Sequence, residues 1–238
     1  VDAVHYHRLG FVAVDEQHRF GVHQRQKLLE KAHTMPHLLS MTATPIPRSL
    51  QLTVFGELDC SVLDEKPANR LPITTKIVSP VSIATVYKTI DQQIDAGRQV
   101  YVICPLIDSS TTSGSDKKSV EVEYKKLKNS IFGHRRIALL HGKMKPQEKE
   151  AVMNEFKDHH YDIVVSTTVV EVGVDVPNAT VMMIENADQF GLSQLHQLRG
   201  RVGRSQYQSY CYLVMSDTSR PSQRLRELEK SNDGFYLA

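Results

Sequence analysis

The residues with most chemical potential lie near the C-terminal end, in Gln194-Leu195-His196-Gln197-Leu198-Arg199-Gly200-Arg201-Val202-Gly203-Arg204. Three arginines fall within six residues, and two of them follow a glycine. Guanidinium stays ionised and forks onto phosphate oxygens, so such a stretch can bind a polyphosphate or support negative charge as it develops. Glycine lets the backbone come close to a ligand. The same composition also suits a solvated basic turn. Phe190-Gly191-Leu192-Ser193 can start a helix just upstream, with Leu195 and Leu198 as its buried side. The arginines would then stand at the far end of a short packed helix.

A second group is acidic. Phe11-Val12-Ala13-Val14 is a continuous apolar run closed by Asp15-Glu16, the pattern of a buried parallel strand with polar residues at its carboxyl end. Ligands of open α/β sheets bind at that end. Asp15 can hold Mg²⁺, which favours carboxylate and water oxygens. Glu16 can orient or deprotonate a water. An acidic loop after a strand would look the same. Two hydroxyl groups complete the set. Thr42-Ala43-Thr44-Pro45-Ile46-Pro47-Arg48 follows the apolar run Leu38-Leu39-Ser40-Met41, and Ser166-Thr167-Thr168 follows Ile163-Val164-Val165. Small hydroxyl residues at a strand end can bond a phosphate or cap a helix.

These groups need elements to position them. Val22 to Ala32 reads as a helix after the acidic pair. Lys66-Pro67-Ala68-Asn69-Arg70-Leu71-Pro72 has the composition of a linker. Ile83, Val86, Tyr87, Ile90 and Ile94 then recur at helical spacing, and Gly97 is placed to cap that helix. Strands are expected at Val100 to Ile103, Ile137 to Leu140, Ile163 to Val165, Val181 to Ile184 and Tyr210 to Val214. A helix is expected from Val120 to Lys128, and another after Pro146 with Val152 and Phe156 on one face. Asp108 to Lys118 reads as a loop. Strands alternating with helices predict an α/β fold with a parallel sheet flanked on both faces.

Bulk properties narrow the function. The chain has 238 residues, 40% hydrophobic and 24% charged, which suits one or two globular domains. No apolar run is long enough to span a bilayer. A formal charge of +2 excludes a strong diffuse field for nucleic acid, so any such contact must come from local placement. Cys60, Cys104 and Cys211 are far apart, with neither a disulfide frame nor a zinc pattern, which fits reduced thiols in the cytoplasm. His5, His7, His159 and His160 lack ligand partners at metal-site spacing.

The motifs together resemble a known family. Gln197-x-x-Gly200-Arg201-x-Gly203-Arg204 is similar to motif VI of superfamily-2 helicases and translocases. Asp15-Glu16-Gln17-His18 resembles motif II in the form found in RecG branch-migration helicases, and Thr42-Ala43-Thr44 resembles motif III. Ser166-Thr167-Thr168 through Gly173 and Asp175 resembles motif V. The tail Ser231-Asn232-Asp233-Gly234-Phe235 also points toward RecG. The transcription-repair coupling factor shares the arginine run and is the alternative within the class. A non-catalytic DNA-binding module is the alternative outside it.

The resemblance implies two RecA-like domains with ATP between them. It places Asp15 on Mg²⁺ and Glu16 on the attacking water. It puts Gln17, His18, Gly173, Asp175 and Gln197 near the nucleotide, and Arg201 and Arg204 on the γ-phosphate. It puts His141, Gly142, Thr167 and Thr168 on the DNA backbone. Thr42, Ala43, Thr44 and Arg48 would couple the two sites. Branched DNA, such as stalled forks and Holliday junctions, is the implied substrate, and no membrane is involved. On this reading 1–72 is the C-terminal part of the first domain, 73–216 a complete second domain, and 217–238 the start of a coupling region. The sequence holds no G-x-x-x-x-G-K-[ST] phosphate loop. In the family that loop, and a DNA-wedge domain, lie upstream, so the 238 residues alone are expected to be inactive.

Overall fold

A computed structural model describes residues 6–15, 23, 27, 35–42, 59, 61, 63, 70–105, 120–167, 175–218 and 220–232. The chain divides into two compact units, Val1–Leu58 with Ala238, and Asp59–Leu237.

In the first unit, β1 (Phe11–Val14) and β2 (His37–Ser40) pair in parallel, with Val14 opposite Ser40. The Met41 amide donates to the Val14 carbonyl at 2.8 Å, so both strands leave by the same edge. Val12 and Val14 are buried while Phe11 and Leu39 are exposed. Both strands lie where their short apolar runs place them. Of the expected helix over Val22 to Ala32, only His23 and Lys27 are described, and both are helical.

The second unit is built on six parallel strands. They are β3 (Thr74–Val78), β4 (Gln99–Ile103), β5 (Ile137–Leu140), β6 (Ile163–Ser166), β7 (Ala179–Ile184) and β8 (Tyr210–Val214), in the order β3-β8-β7-β4-β6-β5. Parallel strands need crossovers, and helices supply most of them. These are α1 (Ile83–Asp95), α2 (Val120–Lys126), α3 (Pro146–Lys157) and α4 (Leu192–Arg199), with α5 (Gln223–Lys230) after the last strand.

Side-chain alternation sorts the core into two layers. Tyr101, Ile103, Val164, Met182, Ile184, Cys211 and Leu213 face α3, α4 and α5, which contribute Phe156, Leu195, Leu198, Leu225 and Leu228. Val100, Val102, Ile163, Val165, Val181, Met183 and Val214 face the other way, toward Val86, Ile90 and Ile94 of α1. Each of those three helix residues is fully or nearly buried, worth about 1.5–3 kcal/mol apiece. This is the α/β sheet covered on both faces that the alternation of elements requires.

Local chemistry sets the ends. Gly97 has φ +79°, and α1 closes with Gly97 N donating to Ile94 O at 2.8 Å and Arg98 N to Gln93 O at 2.9 Å, a Schellman motif. Pro146 occupies the first turn of α3, where its missing N–H is not needed. The Lys145 amide there donates to Glu148 Oε2 at 2.9 Å. Phe156 is fully buried on α3 and Val152 packs at the margin. The helix expected to reach Lys128 is α-helical only to Lys126 and continues as a wider π turn over Leu127–Ile131. That turn buries Leu127 and delivers Phe132 into the core. The expected loop at Asp108 to Lys118 lies outside the described residues.

One polar pair ties the starts of β5 and β6. Asp162 accepts from the Arg136 amide at 2.9 Å and from its guanidinium at 2.5 and 3.2 Å. Burial pushes the Asp162 carboxyl up, but the bonds and charge from Arg136 outweigh it and hold the group below its ordinary 3.8. A depressed carboxyl adds stability above the unfolded value and loses it as pH falls through the folded value. Asp162→Asn is therefore expected to lower Tm most at about pH 5 and above, with the gap to wild type closing below 3.8. Thermal melts across that range check it, and a gap that widens in acid would contradict it.

Candidate functional site

The arginine segment begins where the sequence places it. Gly191, in extended conformation, precedes the first residue of α4. Phe190 before it and Leu195 within it are both buried in one cluster, an arrangement that fixes how the chain enters the helix. Leu195 and Leu198 are buried as expected.

Arg199 departs from that expectation. It is 2% exposed and is not available to a ligand. Its Nη1 donates to the Leu228 and Ser231 carbonyls, both at 2.7 Å, and lies 3.4 Å from Thr75 Oγ1. Its Nη2 meets His196 Nδ1 at 2.9 Å. Guanidinium has no acceptor, so that histidine nitrogen must accept, with its proton on the other ring nitrogen. Burial pulls the Arg199 pKa down, against a small opposing effect of Cys211. The residue is a clamp joining α4, the end of α5 and β3. A signal for this exists in the sequence. Leu192, Leu195 and Arg199 share one helical face, so Arg199 stands in the buried stripe.

Beyond α4 the chain turns sharply. Val202 is 1% exposed and pins the loop. Gly203 has φ +77°, and a Cβ there would lie 2.8 Å from Ile73 Cγ1, so both conformation and space require glycine. Arg201 and Arg204 flank this anchor and are half-buried. Arg204 Nη1 lies 3.2 Å from Asp175 Oδ1, and its Nε donates to the Gly200 carbonyl at 3.2 Å. Both partners remain partly open to water, with side chains 32% and 53% exposed. The hydroxyl of Tyr101 on β4 lies within their electrostatic reach. Burial raises its hydroxyl pKa strongly, while Arg201 and Arg204 pull it down and Asp175 pushes it up. All three charges thus act on one buried phenol, and the structure brings Asp175, Arg201 and Arg204 together. Gln197 is half-buried on α4.

A second group lies at the carboxyl edge of the sheet. β5 and β6 are neighbours, with Leu140 opposite Ser166, so His141 and Thr167 leave side by side. The Thr167 amide donates to the Leu140 carbonyl at 3.3 Å. Thr167 is 4% exposed, and its hydroxyl has no hydrogen-bond partner among the described residues. Ser166 Oγ donates to the Thr167 carbonyl at 2.7 Å. The Gly142 carbonyl accepts from Lys149 Nζ at 3.0 Å. In the first unit Asp15 is exposed just beyond β1, and Thr42 is half-buried beyond β2. Glu16, Gln17, His18, Ala43, Thr44, Arg48, Thr168 and Gly173 lie outside the described residues.

Sequence reading missed one more feature of this region. Asn186, at the exit of β7, is 4% exposed with φ +51°. Asparagine tolerates this conformation better than most residues, but nothing in its neighbours announces it.

Residues 82–206, more than half the chain, match the family described as the helicase conserved C-terminal domain. The chain belongs to that family. Its likeness to RecG extends over the full length. It is 53% identical over 238 residues to the ATP-dependent DNA helicase RecG of Synechocystis sp., covering all of this chain and 28% of that one. To RecG of Bacillus subtilis it is 49% identical over 241 residues, covering all of this chain and 34% of that one. The chain thus spans about a third or less of the length of these curated relatives. A solved structure of RecG bound to a three-way DNA junction superposes with a TM-score of 0.75 at 40% identity, over 99% of this chain and 30% of that one. The helicase Lhr of Mycobacterium smegmatis, solved with ssDNA and AMP-PNP, shares the fold at 16% identity with a TM-score of 0.58, over 87% of this chain and 29% of that one. The family resemblance drawn from motifs II, III, V and VI is borne out.

The Arg199 clamp makes a quantitative expectation. Arg199→Ala leaves the Leu228 and Ser231 carbonyls without their donor, at about 1–3 kcal/mol for each buried group. A loss of unfolding free energy of about 2 kcal/mol or more is expected in urea denaturation. Arg199→Lys should recover only part of it, because an ammonium cannot reproduce the planar fork. An alanine variant as stable as wild type would show that the clamp holds nothing.

Proposed function

We propose that the chain is motor region of an ATP-dependent DNA helicase that remodels branched DNA in the cytoplasm, as its RecG relatives' names and the junction-bound RecG structure make plausible. The observation that carries the reading is the Arg204–Asp175 pair, set beside Arg201 on a turn that only Gly203 permits. Two rigidly based guanidinium groups at one place are suited to a phosphate that gains charge during transfer.

In this reading Arg201 and Arg204 engage the γ-phosphate of ATP. Asp175, Gly173 and Gln197 close on the nucleotide, with Gln17 and His18. Glu16 orients the attacking water. Thr167, Thr168, His141 and Gly142 take a DNA phosphate at the sheet edge, where the buried Thr167 hydroxyl has no partner among the described residues. Thr42, Ala43, Thr44 and Arg48 link nucleotide state to DNA grip. The functional division is 1–72 for part of a first RecA-like domain, 73–216 for the second and 217–238 for the start of a coupling region.

Asp15 is the residue for Mg²⁺. Among the described residues no three His, Cys, Asp or Glu side chains come together. Mg²⁺ does not need such a cage, since it keeps waters and leans on substrate phosphates with one or two carboxylates. A single exposed carboxylate fits that donor set. Bound there, the ion would neutralise phosphate charge. Among the described residues no helix is long and apolar enough to cross a membrane.

The test is a chimaera in which this chain replaces the matching segment of the Synechocystis RecG. It should hydrolyse ATP in response to branched DNA. Arg204→Ala should lower kcat by about 10³-fold or more, the scale of a lost arginine finger. Hydrolysis that persists unchanged in the alanine variant would refute the assignment. Branched DNA bound without any hydrolysis would point to a binding module instead.

A further inference from the structure

We propose that Asp188 is a positioning residue for the arginine pair, anchoring the entry of the helix that carries it. The inference rests on the roles assigned above to Arg201 and Arg204. Asp188 lies in the short 3-10 turn Ala187–Gln189, between β7 and α4. One carboxylate oxygen accepts the Ser216 amide at 2.7 Å, and the other accepts the Ser216 hydroxyl at 2.7 Å. Ser216 is the second residue beyond β8. The Asp188 carbonyl accepts from the Arg224 guanidinium, at the start of α5. One residue thus ties the turn before α4 to the exit of β8 and to the entry of α5.

Three observations make this more than a surface contact. The turn starts at Asn186, in the left-handed conformation at φ +51°, which asparagine tolerates but which still breaks the run of β7 and redirects the chain. Backbone bonds inside the turn are few, Gln189 N to Asn186 O at 2.9 Å and Phe190 N to Ala187 O at 3.2 Å. Buried Ala187 and Phe190 hold the turn against the core, and the Asp188 carboxylate adds the polar tie to the exit of β8. Finally, α4 is only eight residues long, with Arg199 bonded to the far end of α5. A short helix tied at both ends to a second helix is restrained from shifting or rotating. Arg201 and Arg204 leave directly from its C-terminal end. Release of the entry anchor would let α4 pivot about Arg199 and carry the guanidinium groups off their aim.

The expected signature is a loss of turnover without a loss of nucleotide affinity. In the chimaera with the Synechocystis relative, Asp188→Ala should lower kcat for ATP hydrolysis about tenfold while KM for ATP stays within about twofold, since a displacement of about an ångström is enough to cost that much rate. Ser216→Ala removes only the hydroxyl donor and should cost about threefold. Asp188→Asn keeps an acceptor oxygen for the Ser216 amide and should recover most of the loss. The 238-residue chain supplies an independent readout. The Arg204 Nε–H, held by the Gly200 carbonyl, should shift or broaden in ¹H–¹⁵N spectra of Asp188→Ala and stay near its wild-type position in Asp188→Asn. If the unsubstituted chimaera is inactive, the assignment of function fails and the Arg204 signal still decides the positioning role. If Asp188→Ala does not fold, Ser216→Ala decides it by the same two measurements. A lowered Tm with kcat and the Arg204 signal both unchanged would reduce Asp188 to a fold staple and overturn the proposal.

Discussion

A guanidinium buried in a protein has to find acceptors, because it carries only donors and its charge is costly to desolvate. Arg199 meets this demand with two main-chain carbonyls beyond the end of the sheet, at Leu228 and Ser231. The requirement shapes its surroundings. Helix α5 must end where its last carbonyls point at Arg199, and β3 must lie where Thr75 comes within reach. The outer edge of β3 is then closed by the same helix and the residues just after it, since Glu229 accepts the Ile77 amide at 2.8 Å and Asn232 donates to the Ile73 carbonyl at 3.2 Å. An edge strand that would otherwise offer unpaired groups is covered by polar side chains. One buried charge thereby accounts for the arrangement of three elements around the arginine turn.

The six-stranded sheet adds rigidity to that arrangement. Both faces are covered, so β4, β6 and β7 consist almost wholly of buried residues. Tyr101 illustrates the coupling between frame and site. Its ring packs edge-to-face on Phe156 with centroids 5.1 Å apart, while its hydroxyl feels Arg201, Arg204 and Asp175. A ring fixed by packing thus carries a hydroxyl within the field of the charged groups. At the other edge, Thr167 and His141 depend on strand register alone, because β5 and β6 leave together only when Leu140 is opposite Ser166.

Much of this was legible from residue order. Central strands such as Val100 to Ile103 are continuous apolar runs because both sides are covered. The helix of Val86, Ile90 and Ile94 shows its period, and Gly97 its cap. Two elements were not legible. Thr74-Thr75-Lys76-Ile77-Val78 forms an edge strand, half-exposed, so no apolar run marks it. Gln223 to Lys230 has only Leu225 and Leu228 as apolar residues in eight, and its partner is a distant arginine rather than a neighbour in sequence. Motif VI itself was recognisable, but only helical spacing, which sets Arg199 in one stripe with Leu192 and Leu195, hinted at a division of labour among its arginines. Composition treats Arg199, Arg201 and Arg204 alike, whereas packing separates them.

Magnitudes set the two kinds of arginine apart. The Arg199 guanidinium is buried, as is its bond to the Leu228 carbonyl, so breaking these contacts is expensive. The Arg204–Asp175 pair is partly exposed, and pairs of this kind are worth about 0–1 kcal/mol. Such a contact can orient a side chain without trapping it. Under the proposed function, a phosphate carrying more negative charge than one carboxylate, and offering several acceptor oxygens, would compete for the same fork on favourable terms. The structure therefore contains two kinds of arginine within six residues: one held too strongly to move, and one held just firmly enough to be in place when a better partner arrives.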